Sequence, residues 1–220
     1  MTNSSSEKIA SINTVITDFY RPLYDQFFLP SLANSPIAVI AHTSPYYGAA
    51  FGQWEFEAVI HFKITKIIES LKQPANHIVI WSDLDIFFLK PIQTIINDLQ
   101  KRMQNIDLLG SRERINEKYI NTGFLVLRCT EVNIQFFQEL LKRITTNRST
   151  EQPEFNNLIN MSTNVRWGVL PPEYWNITVE RSVDPFFAHA NWIALYPGKT
   201  YVEQKIKALN TIKKSFIKFN

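Results

Sequence analysis

One cysteine, six glycines and no apolar run of membrane-spanning length set the first limits on this 220-residue chain. Cys129 has no second thiol to pair with, which excludes an intrachain disulfide and any zinc site built from cysteines. A reducing compartment is the simpler setting. Residues 1–8 are polar and serine-rich, without the apolar stretch of a signal peptide, so a cytoplasmic location is expected. Low complexity is excluded by 16 Phe, 8 Tyr and 5 Trp, whose burial can offset chain entropy. A clustered Lys/Arg stripe is also missing. The net charge of +3 and pI near 8.9 therefore suit an anionic small molecule and do not point to nucleic acid. Sequons at Asn147 and Asn176 read as chance occurrences.

What is present is a chain with 45% hydrophobic residues and no internal repeat or linker-like break, enough for one domain over 1–220. A flexible lead over 1–10 and a C-terminal helix over 200–220 are expected, and the chain is compatible with being one domain of a larger protein. Residues 12–17 are a β-branched run followed by apolar periodicity over 20–32, a strand feeding a helix. A second strand is predicted at 37–41. Over 54–71, Phe56, Ile60, Ile64, Ile67 and Leu71 recur at helical spacing. A third, buried strand covers 77–81, and Pro91 opens a helix over 92–99. Strands at 106–109 and 119–128 follow. Thr130 is placed to cap a helix reaching about residue 143, and a short helix falls at 153–160. Beyond residue 165, Pro171, Pro172, Pro185 and Pro197 punctuate short apolar runs, which predicts loops and short strands closing over the sheet. The alternation predicts a doubly wound α/β fold with an irregular C-terminal portion.

The chemistry concentrates after the third strand, where Ser82, Asp83, Leu84 and Asp85 place two carboxylates two residues apart. Ligands of open α/β sheets bind outside the carboxyl ends of strands, and residues i and i+2 of extended backbone project to one side. Two nearby carboxylates repel each other away from water, and a divalent ion relieves that while offering bonds that a diphosphate can complete. Oxygen ligands favour Mg²⁺ or Mn²⁺. The bland alternative is a turn in which one Asp acts as a cap. A rival chemistry, phosphohydrolysis of the haloacid-dehalogenase type, also uses Asp-x-Asp after an apolar strand. Here Phe87 stands where that motif carries Thr or Val, and two strand-helix units come first.

The acids, together with Thr17, Asp18 and Tyr20, Lys63, Trp81, Asn121 to Gly123, Glu151 with Gln152, and His189 with Asn191, resemble the nucleotide-diphospho-sugar transferases of GT-A fold, in the family's order. The resemblance implies a single Rossmann-like domain with a mixed, mostly parallel central sheet flanked by helices, and a metal-dependent glycosyltransferase, hexosyl or pentosyl, acting on a UDP-sugar and a glycan or glycoprotein acceptor. It implies that Asp83, Asp85 and His189 hold Mn²⁺ or Mg²⁺. By the same resemblance Thr17, Asp18 and Tyr20 receive the nucleoside, Lys63 and Lys199 meet the donor, and Ser82, Leu84, Asn121 and Gly123 line its site. Glu151, in place of the usual Asp, and Gln152 act at the sugar with Asn156 beside them. Arg112 and Arg114 are candidates for phosphate contact. Tyr46, Tyr47, Phe51, Trp54, Trp167 and Trp175 could stack on a sugar, although core packing explains most aromatics. His189 beside Phe186, Phe187 and Trp192 could equally be a core histidine. The basic stretch with Lys205, Lys207, Lys213, Lys214 and Lys218 reads as a solvated helical face, with a membrane contact as the alternative. A non-catalytic nucleotide-sugar-binding module is the remaining competing function.

Overall fold

The computed structural model describes residues 10–33, 35–48, 54–113, 119–176, 184–191 and 198–217. Its centre is a six-stranded sheet in the order β2-β1-β3-β6-β5-β7. The strands are β1 (Ala10–Ile16), β2 (Ala38–Thr43), β3 (Ile78–Ser82), β5 (Leu108–Arg112), β6 (Ile120–Arg128) and β7 (Trp167–Val169). β1 runs parallel to β2 and β3, and β5 to β7, whereas β6 is antiparallel to both β3 and β5. Because β2 lies on one side of β1 and β3 on the other, the chain reverses direction across the sheet at β1. The carboxyl ends of β1 and β3 therefore frame a crevice.

The alternation of the strands builds two cores at once. Ile78 and Ile80 of β3, with Phe124 and Val126 of β6, face one layer; Val79, Trp81, Leu125 and Leu127 face the other. On the second face lie α3 (Trp54–Ser70), α5 (Glu131–Asn147) and α6 (Glu151–Met161), which bring in Ile64, Ile67, Phe137, Leu140 and Phe155. Thr130 caps α5 by accepting from the Asn133 N–H at 3.3 Å, and Arg148 ends it in the left-handed region at φ 47°. The first face is covered by α4 (Ile92–Arg102), by α7 (Tyr201–Ile217) and by a small sheet, β4-β9-β8. That sheet consists of β4 (Ile86–Phe88), β8 (Tyr174–Asn176) and β9 (Phe187–His189).

Several expectations shift. The helix expected over 20–32 forms as α1 (Arg21–Leu23), a π-helical stretch Tyr24–Phe28 and α2 (Leu29–Ser31). Pro30 has no N–H to continue the ladder and its ring crowds the carbonyl four residues back, so the helix widens just before it. The strand expected at 106–109 begins at Leu108, since Asp107 turns to accept the Arg166 guanidinium at 2.7 and 2.8 Å. β4 was not anticipated. It is three residues long, carries no periodicity, and exists because β9 arrives from a hundred residues away to pair with it. No helix among the described residues is long and apolar enough to cross a membrane.

Candidate metal and donor site

β3 pairs with β6 only as far as Ser82 opposite Phe124, and there the two strands part. The Asp83 N–H still donates to the Gly123 carbonyl at 2.7 Å, and Ala190, just past β9, donates to the Asp85 carbonyl at 2.9 Å. The backbone of the acidic pair is thus clamped from both sides. The Ser82 hydroxyl donates to the Asp83 carbonyl at 3.2 Å, and Leu84 turns its side chain into the core.

Beyond this fork, no strand among the described residues pairs with the first residues of β6 on the β3 side, and side chains take over. Asn156 accepts from the Ile120 N–H at 2.7 Å and donates to its carbonyl at 2.8 Å; Gln152 accepts from the Thr122 N–H at 3.2 Å. Lys63 donates to the Thr122 carbonyl at 3.1 Å. Asn156 therefore acts as the fastener that pins α6 to the sheet and thereby sets Glu151 at the site. Buried backbone groups need such partners, which explains amides at these helix positions.

Asp83, Asp85 and His189 gather here, each offering one ligand atom within 4.8 Å of the others. His189 Nε2 lies 3.2 Å from Asp85 Oδ1, and the buried Nδ1 has no hydrogen-bond partner among the described residues. Asn191, two residues on and 6% exposed, has both amide atoms unpartnered among the described residues. Two carboxylates, an imidazole and orphaned buried nitrogens fit a divalent ion with an attached oxyanion ligand. Gly123 makes the gathering possible: a Cβ there would lie 2.4 Å from His189 Cε1 and 3.0 Å from Asp83 Oδ2.

Two lysines balance the acids. Lys63 is buried and holds Asp83 Oδ1 at 3.1 Å and Glu151 at 3.2 Å. Its burial would lower its pKa, but Asp83 and Glu151 raise it above the ordinary lysine value, so it is charged. Burial pushes the Glu151 carboxyl up, against the pull of Lys63. The second lysine corrects the sequence reading. Lys205 is no part of a solvated face: it is 5% exposed, binds Asp85 Oδ2 in a short ion pair, and donates to the Ala190 carbonyl at 2.9 Å. Burial works to raise Asp85, but Lys205 and His189 outweigh it and hold that carboxyl well below its usual range. Lys207 and Lys214 of the same helix are exposed, as expected. Nothing in the spacing of Lys205 distinguished it, beyond its place with Val202, Leu209 and Ile212 on the inward side of α7.

The turn after β1 also comes to the site. Thr17 is buried and accepts from the Tyr20 N–H at 3.2 Å, and Gly48, at φ 89°, lies so close that a Cβ would sit 2.5 Å from Thr17 Oγ1. Burial, the Tyr201 hydroxyl and the charges of Asp85 and Asp83 push the Tyr20 phenol up. Asp18 is exposed, 3.8 Å from Arg21. Asn121 spends its amide internally: Nδ2 donates to the buried Glu113 and Oδ1 accepts from Gly123 at 2.9 Å, next to a bulge at Gly110 and Ser111. Lys199 is exposed ahead of α7, and it is Lys205 that reaches Asp85. Arg112 is half-buried on β5. Tyr47 and Trp54 are 65% and 68% exposed, whereas Trp175 is core. Arg114, Phe51, Trp192, Lys218, Pro197 and residues 1–9 lie outside the described residues. A cavity of about 250 Å³ opens between α3 and the α5–α6 junction, lined by Phe56, Ile60, Ile144 and Arg148 among others; none of the three clustered ligands borders it.

Comparison with known proteins bears on the fold and the family. No curated protein sequence matches. Solved structures do, at identities that show the fold alone. A glycosyltransferase involved in glycosylation of the major capsid of PBCV-1 superposes with TM-score 0.63 at 15% identity, over 91% of this chain and 98% of that one. An active-site mutant of LgtC gives TM-score 0.57 at 12% identity, over 91% and 95%. Mouse xyloside xylosyltransferase 1 in its apo form gives 0.54 at 12%, over 86% and 99%. The fold is the GT-A glycosyltransferase fold. The family model described as nucleotide-diphospho-sugar transferase matches residues 44–203, a span that holds the acids, Lys63, Glu151 and His189, and the chain belongs to that family.

Proposed function

We propose that this protein transfers a hexose or pentose from a UDP-sugar to a glycan or glycoprotein acceptor, with Mn²⁺ or Mg²⁺ held by Asp83, Asp85 and His189. The observation that carries the reading is the meeting of two carboxylates and an imidazole within 4.8 Å at the carboxyl end of β3, in a chain of this family. Such an ion neutralises the charge that develops on the donor diphosphate as the glycosidic bond breaks.

The chain's own groups complete the site. Thr17, Asp18 and Tyr20 receive the nucleoside, and Ser82 and Leu84 present backbone to the donor. Lys63 fixes Asp83 and Glu151 together, so that the oxygen of Asp83 left over, Oδ2, points toward Gly123 and His189. Glu151 and Gln152, at the start of α6, orient the transferred sugar; Glu151 is also the group able to hold a proton near it, because burial raises its pKa. Asn121 shapes the sugar pocket through its grip on Gly123 and Glu113, with Lys199 at the rim. Tyr47 and Trp54, exposed near the crevice end of the sheet, provide the acceptor surface. One catalytic unit over residues 1–220 and a cytoplasmic setting, which a lone buried thiol suits, belong to the same proposal.

The test is Mn²⁺ titration by electron paramagnetic resonance alongside hydrolysis of a panel of UDP-sugars. We expect Asp83→Asn to abolish both saturable Mn²⁺ binding and metal-dependent donor cleavage. Undiminished cleavage in that variant, or donors bound equally well with and without the ion, would refute the assignment. Donor binding without any cleavage would identify a binding module.

A further inference from the structure

The two acids are not equivalent. Asp83 has a side chain 40% exposed, shares one oxygen with Lys63 and keeps the other free of protein partners among the described residues. Asp85 has a side chain 9% exposed and both oxygens engaged, Oδ1 by His189 and Oδ2 by Lys205. The lysine is itself buried, with its ammonium over the Tyr201 ring at 4.7 Å and on the Ala190 carbonyl at 2.9 Å. It therefore sits in the inner coordination space of the very carboxylate that the metal reading requires.

We propose that Lys205 and a divalent ion are mutually exclusive partners of Asp85, so that Lys205 acts as a built-in competitor for the metal site. The inference rests on the metal reading above and goes beyond it. An ion bound to Asp85 stands about 2 Å from the carboxylate oxygen, which would set it a few ångströms from the ammonium. In a pocket this shielded, such a repulsion is far stronger than in water. The charge balance points the same way. Lys63 and Lys205 offset Asp83 and Asp85, and Glu151 leaves this group of five net negative by one charge, so a dication added with Lys205 in place reverses it to net positive. Helix α7 need not unpack for the exchange. Val202, Leu209 and Ile212 anchor it in the core, while the four-carbon stem of Lys205 lets the ammonium swing away. Metal arriving together with a diphosphate, whose negative charge accepts the freed ammonium's field, meets a smaller barrier than metal alone.

The experiment compares the Mn²⁺ dissociation constant of the wild-type protein with those of Lys205→Met and Lys205→Arg, by electron paramagnetic resonance at fixed pH. Methionine keeps the stem and deletes the charge, and we expect at least tenfold tighter Mn²⁺ binding. Arginine keeps the charge and grips the carboxylate with a planar fork, and we expect at least tenfold weaker binding. Should Lys205→Met fail to fold, Lys205→Arg decides alone. Values within twofold of wild type for the folded variants, with binding still abolished by Asp83→Asn, overturn the competition and leave the metal reading standing. No saturable Mn²⁺ binding in any of the proteins, wild type included, overturns both.

Discussion

Adding a single methyl at Gly123 tests how closely the site is packed. In Gly123→Ala the new Cβ would lie 2.4 Å from His189 Cε1, 2.8 Å from Asn121 Oδ1 and 3.0 Å from Asp83 Oδ2. Carbon atoms in good contact stand about 3.5–4.0 Å apart, so the imidazole must retreat by more than about 1 Å. It has little room, being 3% exposed on β9 and tied to Asp85. Overpacking of this kind costs about 1–3 kcal/mol. At roughly 2–4 °C per kcal/mol for a chain of this size, the melting temperature should fall by about 2–12 °C. Metal sites tolerate ligand displacements of only about 0.2 Å, and disturbing the groups that orient a ligand costs about 10–100-fold in affinity. The Mn²⁺ dissociation constant should rise by at least that range's lower bound, measured by calorimetry and checked by differential scanning fluorimetry without metal. Gly168→Ala is the control: its Cβ meets only the end of the Leu109 side chain at 3.0 Å, and Mn²⁺ affinity should not change. A Gly123→Ala protein that binds Mn²⁺ as the wild type does would show that His189 and Asp83 are not jointly required at this spot.

Lys63→Met should destabilise the fold by about 3–5 kcal/mol in urea denaturation, because Glu151 is left buried without its counter-charge. Glu151→Gln in the same protein should recover part of that loss, and a cost below about 1 kcal/mol for Lys63→Met alone would contradict the buried pairing. Asp107, held below its normal pKa chiefly by the hydrogen bonds from Arg166, stabilises the folded state at pH above about 3.9, the unfolded value. As the pH falls through the lower folded value that contribution disappears. Thermal melts of Asp107→Asn should therefore lie below wild type at pH 7 and converge with it under acid conditions; a gap that stays constant with pH would place the effect elsewhere.

The strands and long helices could be read from the chain because local periodicity and burial agree over their length. The β-branched run before Thr17 pairs on both sides, the Phe56-to-Leu71 spacing gives α3 its inward stripe, and Thr130 caps α5 through its own side chain. The acidic pair was legible too, since a buried strand ending in Asp-x-Asp delivers both carboxylates to the carboxyl end of the sheet whatever surrounds them. The partners of those acids were not. Lys63 and Lys205 resemble any other lysine on an amphipathic helix until the helix is docked; then one reaches both Asp83 and Glu151, and the other Asp85. β4 is three residues that become a strand only because β9 lies alongside. Asn156 becomes the fastener of α6 only where β3 leaves β6 unpaired. Local sequence determined the elements and the position of the carboxylates, because those depend on neighbours within a few residues. Which cations neutralise them, and which glycine leaves space for them to meet, depended on side chains separated by up to 120 residues, and only the tertiary structure decided that.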